Sequence, residues 1–220
     1  VDPIAPRPGA CQGYEDCRLF HASDGFYASC TIAERPQLIG PMALKMLLRE
    51  MAILKLSDEG AIEGVAAVRG PWSSYHQKNW RPICDGNTPR WIYASEPLIL
   101  VGAEDVSGPD SLRWQELGPW RGSSQAIRVG DNWLWIDHRM VEHVEHLGNV
   151  YVHRFVMANA DLTEIVGTSK PFVFRGFGVE FCAGLAQDGD RLVLSYSTRD
   201  ANALLAIVDL EAVLRATRAN

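Results

Sequence analysis

The chain has 220 residues, 47% of them hydrophobic and 22% charged, which is enough to bury a core in one large domain or two small ones. A net charge of -6 with no basic cluster argues against nucleic acid or an anionic membrane surface as a partner. No apolar run reaches the roughly 18 residues that a membrane span requires.

In chain order, the elements are overwhelmingly strands. Glu15, Asp16, Cys17 and Arg18 form a polar block that runs into a strand over Gly25–Ala33. In an extended segment alternate side chains share a face, so Asp16 and Arg18 are expected together, with Glu15 opposite. Residues Pro41 to Leu56 compete for a helix: their first half has apolar residues at helical spacing around Lys45, Arg49 and Glu50, while Ala52–Leu56 reads as a strand. Further strands are expected at Trp91–Ser95, Ser124–Val129, Asn132–His138, Val150–Met157, Glu180–Ala186, Arg191–Thr198 and Ala203–Asp209. All are rich in Val, Ile, Tyr and Trp. Turn chemistry separates them at Asp24-Gly25, Asp85-Gly86, Gly130-Asp131-Asn132 and Asp188-Gly189-Asp190. A short C-terminal helix is expected from Asp209 to Thr217.

Four polar blocks recur among these strands. They are Glu15 to Arg18, Gln77-Lys78-Asn79-Trp80, Arg121-Gly122-Ser123-Ser124-Gln125, and Val179-Glu180-Phe181-Cys182. Their spacing, on the order of 45 to 60 residues, is that of four-stranded propeller blades. In such a fold the inner strands crowd around one mouth, which gives each block a common destination. A sandwich with long loops is the competing architecture.

Individual residues carry two readings. Trp80 beside Lys78 and Asn79 is either a platform for a pyranose ring or a packing residue between strands. Glu180 lies in an apolar context and needs a partner if buried, either a ligand in a cleft or Arg175. Ser123, Ser124 and Gln125 offer donors but are also ordinary turn residues. His138, His143, His146 and His153 lack the helical spacing of a metal site, and no metal or organic cofactor is expected. The five cysteines are irregularly spaced without a C-x-x-C pair, which suggests free thiols in a reducing compartment and a cytoplasmic location. Beginning at Val1 rather than Met, the chain reads as a processed product or a piece of something longer.

The run Tyr14-Glu15-Asp16-Cys17-Arg18-Leu19-Phe20, followed by Lys78-Asn79-Trp80-x-Pro82 and Arg121-Gly122-Ser123-Ser124-Gln125, resembles a group of bacterial five-bladed β-propellers. Tyr151-x-His153-Arg154-Phe155, Pro171-Phe172-Val173-Phe174 and the segment from Val179 to Ala186 continue the match in order. These propellers are related to glycoside hydrolase family 130, the β-mannoside phosphorylases and mannosidases, and are often joined to glycosyltransferases. The resemblance implies a single all-β propeller over residues 1–220, with one blade reduced or missing, that binds a glycan or sugar phosphate.

The same resemblance implies roles for particular residues. Asp16 stands where the family has its general acid, with Glu15 and Arg18 binding sugar or orienting that acid. Lys78 stands at the phosphate-binding lysine, with inorganic phosphate as co-substrate. Asn79, Trp80, Arg121, Ser124, His138 and Glu180 complete the candidate substrate-binding set. Cys17 replaces the proline of the enzyme motif, so a non-catalytic glycan-recognition module serving a fused or partner glycosyltransferase is the alternative to an inverting glycosidase or phosphorylase.

Overall fold

The computed structural model describes residues 13–39, 44–68, 77–86, 88–102, 106–107, 117–143, 148–176 and 178–218. Within them the chain is almost wholly strand, arranged in four sheets whose strands follow one another in sequence. The first sheet has the order β1 (Glu15–Ala22), β2 (Gly25–Ile39), β3 (Leu44–Leu56), β4 (Ile62–Val68). The second runs β5 (Arg81–Asp85), β6 (Thr88–Ser95), β7 (Leu98–Val101), β8 (Val106–Ser107). The third comprises β10 (Ile127–Val129), β11 (Asn132–His143), β12 (Gly148–Ala158) and β13 (Ile165–Thr168), with β9 (Arg121–Gly122) also paired to β11. The fourth has β14 (Glu180–Asp188), β15 (Arg191–Thr198) and β16 (Asn202–Asp209). Meanders of this kind are the units from which propeller blades are made.

Turn chemistry sets the registers. Val129 pairs with Asn132 across Gly130-Asp131, and Asp188 pairs with Arg191 across Gly189-Asp190. Gly130 (φ 58°) and Gly189 (φ 62°) occupy the left-handed conformation that a two-residue hairpin demands.

The strand expected at Ser124–Val129 begins only at Ile127, and the helical first half expected in residues 41–56 is strand from Leu44. Leu44–Leu56 is a strand throughout, paired with β2 from Phe26↔Leu56 to Ile39↔Leu44, and not a helix giving way to a strand. The apolar run satisfies helical spacing, but thirteen residues beside a partner strand of fifteen gain a long ladder that an isolated turn of helix lacks. Pro41, Met42 and Ala43 lie outside the described residues.

Two compact units divide the chain, Val1–Trp91 with Val101–Ser107, and Ile92–Leu100 with Gly108–Asn220. In the first unit Ala28, Cys30, Ile32, Ala52 and Leu54 make a small core between β2 and β3. In the second, Leu134, Ile136, Phe155, Met157, Leu185, Leu192 and Leu194 form the core, closed by Val213 of the C-terminal helix α1 (Leu210–Arg218). Asp209 caps that helix by accepting from Ala212 N at 2.6 Å. Among the described residues no helix is long and apolar enough to cross a membrane.

Candidate functional site

In the first unit β1 does not pair evenly with β2. Glu15 opposes Thr31 and Arg18 opposes Ser29, so Asp16 and Cys17 together face Cys30. This is a β-bulge, a device that bends a strand and re-aims its side chains. Asp16 has φ 55°, the left-handed conformation that glycine often supplies in such bulges. The bulge overturns the simple alternation: Asp16 and Cys17 are both exposed, while Arg18 is fully buried.

Arg18 holds this corner from beneath. Its Nη1 donates to the Asp16 carbonyl at 2.8 Å and its Nη2 to Asn79 Oδ1 at 3.4 Å. Asn79 is itself left-handed, with φ 63°, and buried. One guanidinium therefore joins the Asp16 carbonyl to the side chain of Asn79, which lies 61 residues beyond Arg18 in sequence. A buried cation needs such partners, and hydrogen bonds to it are worth more than neutral ones.

The block from Gln77 to Trp80 reaches the same corner. Gln77 N donates to the Arg49 carbonyl at 2.8 Å, and Arg49 Nη1 pairs with Glu15 at 2.7 Å. Lys78 is exposed between buried Gln77 and Asn79. The structure thus brings Glu15, Asp16, Arg18, Lys78 and Asn79 into one neighbourhood. Trp80 is placed otherwise: it is fully buried, with its ring edge-on to Trp91 at 6.2 Å, so it packs the interior and offers no face to a sugar. Trp91 in turn donates to Ser29 Oγ at 3.0 Å.

Cys17 is the chemically distinctive member of this corner. Its thiol is lowered to about 7, first by a hydrogen bond from Cys30 and then by the charge of Arg18, against opposition from desolvation and Asp16. Cys30 moves the other way, raised by the same hydrogen bond and by burial.

The second unit has its own polar row. Arg121 of β9 pairs with His138 of β11, which pairs with His153 of β12, which bridges to Phe172. Arg121 is exposed and donates to the carbonyls of Gly118 at 2.5 Å and Trp120 at 3.1 Å. His138 is buried against Tyr151, stacked at 5.5 Å, with Phe181 edge-on at 5.2 Å. His153 is fully buried against Phe174 at 4.8 Å, and burial lowers its pKa to about 4.

Two other members of the expected set are engaged with backbone. Ser124 Oγ accepts from Ile136 N and donates to the Gln125 carbonyl, both at 2.9 Å. The Glu180 carboxylate accepts from the successive amides of Phe174, Arg175 and Gly176 at 2.7, 3.0 and 3.3 Å. It meets the Arg175 backbone, and the three amides form an anion-binding nest.

A network that the motifs did not reveal lies one residue along the same strands. Gly122, Asp137 and Arg154 follow one another across β9, β11 and β12. Fully buried Asp137 accepts from Trp135 Nε1 at 3.1 Å and from Arg154 at 3.4 Å. Arg154 also pairs with Glu96 at 2.6 Å and lies 4.2 Å over the Trp120 ring. The available signal was an aspartate directly after the apolar run Trp133-Leu134-Trp135-Ile136, where a buried charge requires a partner.

No family model matches this chain, and no curated protein does either. Among solved structures it is similar to β-1,2-mannobiose phosphorylase from Listeria innocua in complex with β-1,2-mannobiose, with a TM-score of 0.65 and 16% identity. That match covers 94% of this chain and 61% of the phosphorylase, so the chain spans less than two thirds of that enzyme's length. A glycosyl hydrolase from Bacteroides ovatus follows, with a TM-score of 0.63, 14% identity, and coverage of 90% of this chain and 66% of that one. An exo-1,5-α-L-arabinanase from a bovine ruminal metagenomic library has a TM-score of 0.56 and 13% identity, covering 93% of this chain and 78% of its own. The fold is that of a β-propeller. At these identities the likeness is one of fold, and the chemistry of the propeller rests on its own residues.

Proposed function

We propose that this propeller is a carbohydrate-active protein that takes a glycan or sugar phosphate at the β1 bulge. One observation supports the reading above all. An exposed carboxylate, Asp16, stands on a left-handed bulge residue whose carbonyl is held by the fully buried Arg18, and Arg18 also reaches left-handed Asn79. Local backbone of this kind persists where surrounding contacts enforce it, and it concentrates at sites that bind or react.

In the catalytic form of this reading Asp16 is the general acid. It delivers a proton towards the leaving glycosidic oxygen while water or inorganic phosphate attacks the anomeric carbon from the opposite face, with inversion. Lys78 is exposed beside Asn79 and is the cation for phosphate. Arg18 positions the acid through the backbone, and Glu15, paired with Arg49, fixes the strand that carries it.

A second reading is favoured by a specific feature. Cys17 follows Asp16 where the related enzymes have proline, and Glu15 is already committed to an ion pair. Binding without turnover, in the service of a cytoplasmic glycosyltransferase partner, fits that pattern.

The test is titration of β-1,2-mannobiose and other mannosides, with and without inorganic phosphate, against the wild-type chain and Asp16→Asn. Phosphate-dependent release of a sugar 1-phosphate, or hydrolysis without phosphate, that disappears in the variant supports the enzyme. Binding without product supports the recognition module. No binding of any glycan sinks both.

A further inference from the structure

The bulge that presents Asp16 also sets two thiols against each other. Because Glu15 opposes Thr31 and Arg18 opposes Ser29, Cys17 is one of two residues facing Cys30 on the adjacent strand. No regular pair joins Cys17 to Cys30, but a bulge sets its two residues against the one residue opposite, here Cys30, and a disulfide needs their Cα atoms within roughly 4.4–6.8 Å. The two cysteines are free, Cys17 exposed and Cys30 fully buried. Each thiol is the first cause of the other's pKa shift, and Cys17 Sγ lies 3.8 Å from the Tyr14 carbonyl. Cys30 Sγ also lies 3.8 Å from the Ala52 carbonyl on β3. The environment is therefore asymmetric: one sulfur open to solvent beside the Arg18 cation, and one sheltered directly behind it.

We propose that Cys17 and Cys30 form an oxidant-responsive thiol pair, in which a peroxide oxidises Cys17 and Cys30 then closes a disulfide across the bulge. In the first step the Cys17 thiolate attacks one peroxide oxygen. The O–O bond breaks, the displaced oxygen leaves as water after taking up a proton, and Cys17 becomes a sulfenic acid. In the second step the Cys30 sulfur attacks the Cys17 sulfur, the S–O bond breaks, and the hydroxyl departs as water with the Cys30 proton. The balance is two thiols oxidised by two electrons and one hydrogen peroxide reduced to two waters.

The local electrostatics order these steps. Arg18 and the Cys30 thiol favour the Cys17 thiolate, so the exposed sulfur is the one that reacts first. The hydrogen bond with Cys17 raises Cys30 most, followed by burial and then by the negative charge of the Cys17 sulfur. Once Cys17 is a neutral sulfenic acid the opposition from its charge is gone, so Arg18 favours ionisation of the resolving thiol against burial alone.

This chemistry does not depend on the glycan reading, and its test uses no sugar. The full chain is treated with hydrogen peroxide, quenched with a thiol-alkylating reagent under denaturing conditions, and digested without reduction for peptide mass spectrometry. The expected product is a peptide joining Cys17 to Cys30 that dithiothreitol separates, while Cys84 and Cys182 are recovered alkylated. In Cys30→Ser the oxidation stops at a Cys17 sulfenic acid that dimedone traps. Before oxidation, Cys17 reacts with iodoacetamide at pH 7 about fivefold faster than an unperturbed thiol, its larger thiolate fraction outweighing its lower intrinsic nucleophilicity. Recovery of Cys17 and Cys30 as separate alkylated thiols overturns the proposal, as does a bond from Cys17 to Cys11 or to a second chain. The wild-type peptide decides the matter even if Cys30→Ser folds poorly.

Discussion

Arg18 donates to the backbone carbonyl of Asp16 at 2.8 Å, so this cation steadies the bulge while the Asp16 carboxylate sits at the exposed surface. Side-chain chemistry and backbone geometry are thereby separable at one residue. With φ 55°, Asp16 occupies a conformation costing most L-residues about 1–2 kcal/mol, and somewhat less for Asp. Asp16→Gly relieves that strain but gives the unfolded chain more freedom, so its stability stays within about 1 kcal/mol of wild type. Asp16→Ala keeps the left-handed backbone in a residue that tolerates it less well than Asp and falls below both. Urea unfolding should give the order Gly at or near Asp, with Ala lowest, while glycan turnover or binding drops in both variants. Equal losses of stability and ligand response in all variants would show that Asp16 acts only as a structural residue.

Glu180 makes a contrasting case, because its carboxylate is spent on the amides of Phe174, Arg175 and Gly176. Glu180→Gln keeps one accepting oxygen but puts an NH₂ against an amide. Since hydrogen bonds to a charged group are worth about 1.5–3 kcal/mol, a loss of roughly 2–3 kcal/mol is expected. Amide hydrogen exchange should rise at residues 174–176 first. A variant that loses ligand binding while keeping those amides protected would return Glu180 to the site.

The contrast also shows what the sequence makes legible. The hairpins at Gly130-Asp131 and Gly189-Asp190 could be read because a positive φ selects its residues locally. The strand character of Leu44–Leu56 could not, since its first half fits helical spacing and only the long β2 partner decides the outcome. The Asp16 bulge was hidden for a related reason. Strict alternation puts Asp16 and Arg18 on one face, and one extra residue opposite Cys30 cancels that rule. Trp80 had the composition of a sugar platform, but its burial against Trp91 is a tertiary fact that no neighbouring residue announces.

Gly167 tests how α1 is seated. A Cβ there would collide with the carbonyl of Thr217, a helix residue that is itself fully buried. The obstacle is backbone, so it cannot swing aside as a side-chain tip would. Gly167→Ala should shift the last turn of α1 and cost about 1–3 kcal/mol, the usual range for overpacking. Loss of hydrogen-exchange protection confined to Leu210–Arg218 and its neighbours is the expected signature. Unchanged protection in α1 would show that the helix end is not packed as described.

His153 gives the fold a pH dependence with a definite sign. Burial among Phe172, Phe174 and His138 holds its pKa near 4, below the ordinary 6.5, with the Glu180 backbone opposing that shift only in part. The folded protein therefore prefers neutral His153, whereas the unfolded chain protonates it once pH falls below about 6.5. Its contribution is present in full above that pH and is lost progressively as pH falls towards 4. The shift corresponds to about 3 kcal/mol at most, at 1.36 kcal/mol per pKa unit. Other groups titrate in the same range, so the measurement is a difference: urea unfolding of wild type and His153→Phe at pH 7, 6, 5 and 4. The wild type should lose more stability than the variant over that range, with the gap changing most steeply between pH 6 and 4. Parallel curves would mean that His153 is not buried neutral in this aromatic cluster.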